Sequence, residues 1–369
     1  MIRLLPLAFL LVTACEGSGS STTTDGGPSE FDAMSIPDAA AIADGPRPDA
    51  TTENQCARHS LGLGRGDIAY ADGYFAVARH GLGFEFKVTQ FEENGTQVAT
   101  ISMPGQLFSS PPALAGRETF LIAYQGPPED GLALMPLTPG GGLGTTTFVP
   151  TTGTLQHMLL DASLVATEFG LVYQDEGGVK FVRATADGTI VSGPTLLELP
   201  PLARLQAMSY RDGGWAIVTR LDMAVNLYLL DNNGVIETTH ALPDSTVTGG
   251  MTSLGTEVAV LGWYPSSLTL YQENSALPMG PAYYPGEIVA DSSGFTAAYV
   301  DSALDVHVLH ATATGTIDSD QVLGGQLSSL PLSLPRVAVS PSGTRAAAWV
   351  KDLHGDTDPE LFFGLACEP

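Results

Sequence analysis

The sequence predicts an all-β fold, a β-propeller, and three observations carry that expectation. Seven short apolar segments, each entered through a Gly or turn cluster, start at residues 74, 120, 169, 215, 258, 295 and 345 and so step by 46, 49, 46, 43, 37 and 50. Continuous apolar runs of about five residues bounded by turns fit strands buried on both faces. A tight-turn signature follows each of the first six: Asn94-Gly95, Gly140-Gly141, Asp187-Gly188, Asn233-Gly234, Asn274-Ser275 and Thr314-Gly315. Asn-Gly and Asp-Gly supply the positive φ that a two-residue hairpin demands. The third observation is composition: 42 Gly and 26 Pro in 369 residues favour many turns and short strands over long helices.

Between the two markers lies a further strand, as at 179–183, 226–230 and 305–309, and a fourth is expected after the turn, as at 189–191 and 235–238. Four short antiparallel strands at a period near 45 residues describe a propeller blade, which cannot cover its own faces and must pack on neighbours around a ring. Seven copies of the first marker predict seven blades, with six and eight left open. The last unit offers only 337–340, 345–349 and 361–366. Residues near Cys56 are expected to supply the missing outer strand and so close the ring.

Ahead of the body, residues 1–14 read as a secretion signal: Arg3, an apolar run over 4–12 broken by Pro6, then small residues. The run is too short to span a bilayer as a helix, which takes about 20 residues. Val12-Thr13-Ala14-Cys15 resembles the lipobox of bacterial lipoproteins, and that resemblance implies cleavage before Cys15, diacylglycerol on its sulfur, and a body held in water beside a membrane. The expected address is the cell envelope at the outer membrane, in either leaflet. Residues 15–55 follow as the lipidated Cys and a disordered tether, where eight acids (Glu16, Asp25, Glu30, Asp32, Asp38, Asp44, Asp49, Glu53) face one base, Arg47. A flexible coil of this length holds the body roughly 30–40 Å from its anchor. With Cys15 lipidated, Cys56 and Cys367 remain, and an exported protein favours joining them in a disulfide. That pairing needs the ends of 56–369 to meet, as ring closure also requires.

The repeat unit resembles the propeller repeats of lipoproteins from the myxobacterial type of bacterium, shown best by 290–299 and 171–178. Val339-Ser340-Pro341-Ser342-Gly343-Thr344 is also similar to the Ser-Pro-Asp-Gly element of TolB-like propellers, with Ser342 in place of Asp and in one copy. The resemblance implies a propeller at the cell envelope and implies no reaction.

Charge narrows the partners. The formal charge is −25 and there are three Lys, which argues against a phosphate grip on nucleic acid and against a polybasic grip on anionic lipid. No Gly-x-Ser-x-Gly, Gly-x-x-x-x-Gly-Lys, Cys-x-x-Cys or His-Glu-x-x-His occurs, so the sequence calls for no cofactor and no metal. His307 and His310 are three apart on one strand and point to opposite faces, as strand-surface residues. Asp356-Thr357-Asp358 begins like a calcium loop and lacks its remaining ligands. Tyr124, Tyr173, Tyr299 and Trp349 are expected to pack between blades.

If a ligand binds, the loops between second and third strands are its expected rim: Arg79, His80, Glu129, Asp130, Asp175, Glu176, Arg220, Asp222, Asp301 and Asp305. The preferred reading is a non-catalytic binding or scaffold module, tied to the membrane by its lipid and presented to an envelope protein or a polysaccharide. The alternative is a polysaccharide-acting hydrolase or lyase using paired rim carboxylates.

Overall fold

The computed structural model describes residues 56–80, 85–104, 111–126, 131–163, 167–243, 247–264, 267–272, 275–282, 284–325, 334–351 and 360–366, all within the compact unit Glu53–Pro369. The signal, Cys15, the tether, Glu129, Asp130, the Asp356-Thr357-Asp358 stretch and Cys367 therefore lie outside the described residues.

Seven antiparallel sheets follow one another along the chain. Blade 1 runs Arg65–Ala71, Tyr74–His80, Glu85–Glu92 and Gln97–Pro104 as an up-and-down meander. The first strands of blades 2 to 7 are Ala113–Gly116, His157–Ala162, Arg204–Arg211, Val247–Leu254, Tyr284–Ala290 and Arg336–Val339. Each lies against the first strands of its two neighbouring blades, so the seven stand in a ring around a central channel. The seven apolar segments of the sequence are the second strands, from Tyr74–His80 to Arg345–Lys351.

Their continuous apolar character has a direct cause, because each second strand feeds two cores. Phe120, Ile122 and Tyr124 pack against blade 1, while Leu121 and Ala123 pack against blade 3. The molecule has no single centre of hydrophobic packing. Seven buried clusters occupy the seven blade-to-blade interfaces. Tyr124, Tyr173, Tyr299 and Trp349 are all buried in them, as expected.

Blade 2 departs from the regular pattern. Its third strand, Leu132–Thr138, contains Pro136, and the fourth splits into Gly142–Leu143 and Thr147–Val149. Gly144 N–H donates to Pro136 O at 2.8 Å. Proline has no N–H to return the bond, so pairing lapses until Thr147.

Ring closure follows the expected route. The last blade contains Arg336–Val339, Arg345–Lys351 and Glu360–Ala366, and its outer strand is the N-terminal Arg58–Leu63. His59 faces Phe363, and Leu365 N–H donates to Ala57 O at 3.0 Å. Continuing that register sets Cys56 opposite Ala366. The closing interface is dense in rings: Phe91 of blade 1 stacks on Phe363 of blade 7, centroids 4.0 Å apart and planes 6° from parallel. Truncating Phe363 to Ala should cost about 3–5 kcal/mol through lost burial and a cavity shared by two blades. Urea titration followed by far-UV circular dichroism would check this. A loss below about 1 kcal/mol would mean the closing interface carries little of the fold.

Candidate functional site

A propeller leaves the inner edge of each first strand without a neighbouring strand, and its backbone N–H groups still need acceptors. Here side chains of the preceding blade supply several of them. Asp67 of blade 1 accepts from Leu114 N–H of blade 2 at 2.9 Å, and Asp161 of blade 3 accepts from Tyr210 N–H of blade 4 at 2.7 Å. Thr252 of blade 5 accepts from Ala290 N–H of blade 6 at 2.8 Å, and Glu287 of blade 6 accepts from Val337 N–H of blade 7 at 3.2 Å. Each is a latch from one blade to the next.

Three of those latches are carboxyl groups facing one space, a channel cavity of about 840 Å³ lined by all seven first strands. Arg336 reaches between two of them, with its guanidinium 3.4 Å from Glu287 and 3.9 Å from Asp67. Burial raises the Asp67 carboxyl against the opposing pull of Arg336. It lifts Asp161 to about 6 despite the Tyr210 and Ala162 N–H bonds. It lifts Glu287 to about 7, again against Arg336, with Asp67 and Asp161 adding repulsion across the channel. The Arg336 guanidinium is disfavoured by burial, but Glu287 and Asp67 outweigh this and raise its pKa. Channel carboxyls therefore resist ionisation while the arginine beside them stays charged.

The sequence reading did not single out Asp67, Asp161, Glu287 or Arg336. A usable signal existed: each sits within an apolar first strand, where an acid or a guanidinium is out of pattern.

The expected rim residues behave differently. Asp175 is buried, pairs with Lys180 at 2.7 Å and accepts from Thr152 and Gly177 N–H. Glu176 accepts from Thr154 N–H. Asp301 accepts from Ala303 and Asp305 N–H, holding its own turn. Arg79 donates to Leu63 O, and the burial of His80 lowers its pKa. Arg220 donates to the backbone carbonyl of Asp222 at 2.8 Å. These groups are spread over blades 1, 3, 4 and 6, and the bonds above hold turns and neighbouring loops.

The two histidines of blade 6 do point to opposite faces, and each meets its own pair of acids. His307 lies 3.0 Å from Asp320 and 3.4 Å from Asp301. Burial opposes its charge, but bonds to those carboxylates prevail and raise its pKa. His310 corrects the strand-surface expectation, because it is buried. Its Nε2 lies 2.9 Å from Ser293 Oγ and its Nδ1 2.6 Å from Asp318. That order of Ser, His and Asp is the order of a nucleophile, base and orienting acid. Its surroundings argue for a structural role, since Ser293 Oγ donates to Asp291. Ser293 and Gly294 N–H groups also donate to Asp291, so neither is left to stabilise an oxyanion. Among the described residues no group of three or more His, Cys, Asp or Glu is placed to hold a metal ion.

Solved structures with similar folds are propellers. The chain superposes on the β-propeller domain of Cps50 (Swd1) from Myceliophteria thermophila with a TM-score of 0.54 at 9% identity, covering 84% of this chain and 100% of that one. It superposes on the BP39L lectin of Burkholderia pseudomallei with a TM-score of 0.56 at 11% identity, covering 79% and 98%. BamB from Moraxella catarrhalis aligns at 0.42 and 10% identity over 81% and 96%. No family model matches the chain, and no curated protein matches it in sequence. The likeness shows the β-propeller fold and nothing more specific; the seven blades are this chain's own seven sheets.

The raised carboxyls give a pH dependence with a defined sign. Glu287 ionises near 4.5 when unfolded and about 7 when folded, so its contribution is full below pH 4.5 and is lost as pH rises through 7. Its side chain is 24% exposed to the channel and shares its charge with Arg336, so the expected loss by pH 8 is about 1–3 kcal/mol. Glu287→Gln should flatten that stretch of the stability curve, measured by chemical denaturation at pH 4.5, 6 and 8. A variant with an unchanged slope would contradict the assignment.

Proposed function

We propose that this chain is a cell-envelope lipoprotein whose propeller binds or scaffolds a partner without catalysing a reaction. On this reading Cys15 carries the lipid and residues 16–55 tether the body. Cys56 pairs with Cys367, fastening the closing strand at the end that takes any pull from the anchor. The observation that carries the non-catalytic part is the occupation of the acids. Channel carboxyls hold N–H groups of the next blade, and rim acids hold turns, whereas acid–base catalysis requires groups within reach of a substrate proton. The partner expected is an envelope protein or a polysaccharide.

One observation favours the hydrolase or lyase reading: Asp161 and Glu287, raised to about 6 and about 7, share one cavity. That would move the candidate acids from the rim to the channel.

The test uses the full chain carrying Cys15→Ser, incubated with detergent-solubilised envelope and with purified cell-surface polysaccharides. Reproducible capture of one protein, or of a glycan left at full length, is the expected result. Shortening of the glycan, lost in Glu287→Gln, would replace the binding reading with the hydrolytic one, and capture of nothing would overturn both. Palmitate labelling should mark the wild type and vanish in Cys15→Ser. Non-reducing peptide mapping should recover Cys56 joined to Cys367.

A further inference from the structure

The connection from blade 3 to blade 4 carries an apolar residue where both conformation and exposure oppose it. Leu202 is 84% exposed and has φ +68°, in a turn closed by Ala203 N–H to Pro200 O at 3.1 Å. The left-handed region suits glycine there, and a branched L side chain is strained in it. Leu196, 59% exposed, ends the outer strand of blade 3 at this face, and Met223, 54% exposed, caps the turn between the second and third strands of blade 4. Arg204 and Arg220 face each other across the first and second strands of blade 4, an opposition of like charges that a sheet ordinarily avoids. The Arg220 guanidinium lies beside Met223, and no ion pair among the described residues includes either arginine. Locally unfavourable choices that cluster on one edge mark a functional surface.

We propose that this edge is a membrane-contact patch, with Leu202 as the tip that enters the lipid interface and Arg204 and Arg220 meeting anionic headgroups. The small apolar area beside two arginines favours lipid over protein. Three exposed apolar side chains are far short of the roughly 800 Å² per partner of a stable protein interface. The chain's −25 charge opposes binding, but acids more than about 8–10 Å away are screened at physiological salt. Asp222 and Glu198 flank the patch and set a modest intrinsic affinity. That is sufficient for a tethered body, because a short flexible linker supplies an effective concentration in the millimolar range. Only this last step rests on the lipid-anchor reading.

The experiment uses the full chain with Cys15→Ser, so that no acyl chain holds it, and sedimentation with phosphatidylcholine–phosphatidylglycerol vesicles at low salt. Weak binding is expected, reduced about tenfold or more by Leu202→Glu. Arg204→Glu with Arg220→Glu should remove the preference for anionic vesicles. Leu202→Trp should bind at least as well, with its emission quenched by brominated acyl chains. Leu202→Gly should lose binding while gaining thermal stability, a combination that misfolding cannot produce. Wild-type vesicle binding no greater than that of Leu202→Glu would overturn the patch. So would a photo-crosslinker at position 202 that joins a protein while vesicles stay unbound. Vesicle binding without palmitate labelling would remove the anchor alone, and labelling without vesicle binding would remove the patch alone.

Discussion

The structure depends on one pairing, that of Arg58–Leu63 with Glu360–Ala366. Every blade buries its two faces against neighbours, and the cluster between blades 7 and 1 forms only while the ring is closed. Without the N-terminal strand the last blade would end on an unpaired edge, and Cys56, Ala57 and Leu61 would leave the cluster that joins blades 7 and 1.

Inside the ring the chemistry serves two demands that conflict. The first strands leave backbone donors facing the channel, and an acid is a strong acceptor for them. Yet the same cavity penalises ionised carboxylates, and Asp67, Asp161 and Glu287 repel one another across it. Arg336 relieves part of this, while Thr252 does the same latching work at Ala290 with no charge at all. The comparison shows that latching needs an acceptor and does not need an acid. The carboxyls add a dependence on pH that a ring of threonines would not have.

Much of the architecture was legible because the second strands are buried on both faces, which turns each into an apolar run that periodicity detects. The missing strand of the last unit was legible for a related reason, as a count of strands that came out one short. The latches were not, because a lone Asp67 or Glu287 in an apolar strand has no spacing that repeats: blades 1, 3 and 6 use acids, blade 5 uses Thr252, and the intervals between them vary. The roles of the rim acids were not legible either, since carboxylates in loops look alike in sequence whether they face solvent or, like Asp175, lie buried on a lysine and two N–H groups. His310 was placed on the surface because alternation along one strand cannot say which of two faces is covered by the next blade.

Function is hard to read in this fold because the regular positions are spent on holding the ring. Acids, histidines and hydroxyls that would suggest chemistry elsewhere are here committed to turns and to neighbouring blades, as Ser293 and His310 are to Asp291 and Asp318. Informative positions are then those that the ring does not need. Gly at position 202 would close the same turn without strain, and a polar side chain there would suit water better than Leu. A neutral side chain at position 204 would spare Arg220 a like-charged neighbour. Where the fold would be served by a different residue at several adjacent positions, the residues present answer to something outside the fold.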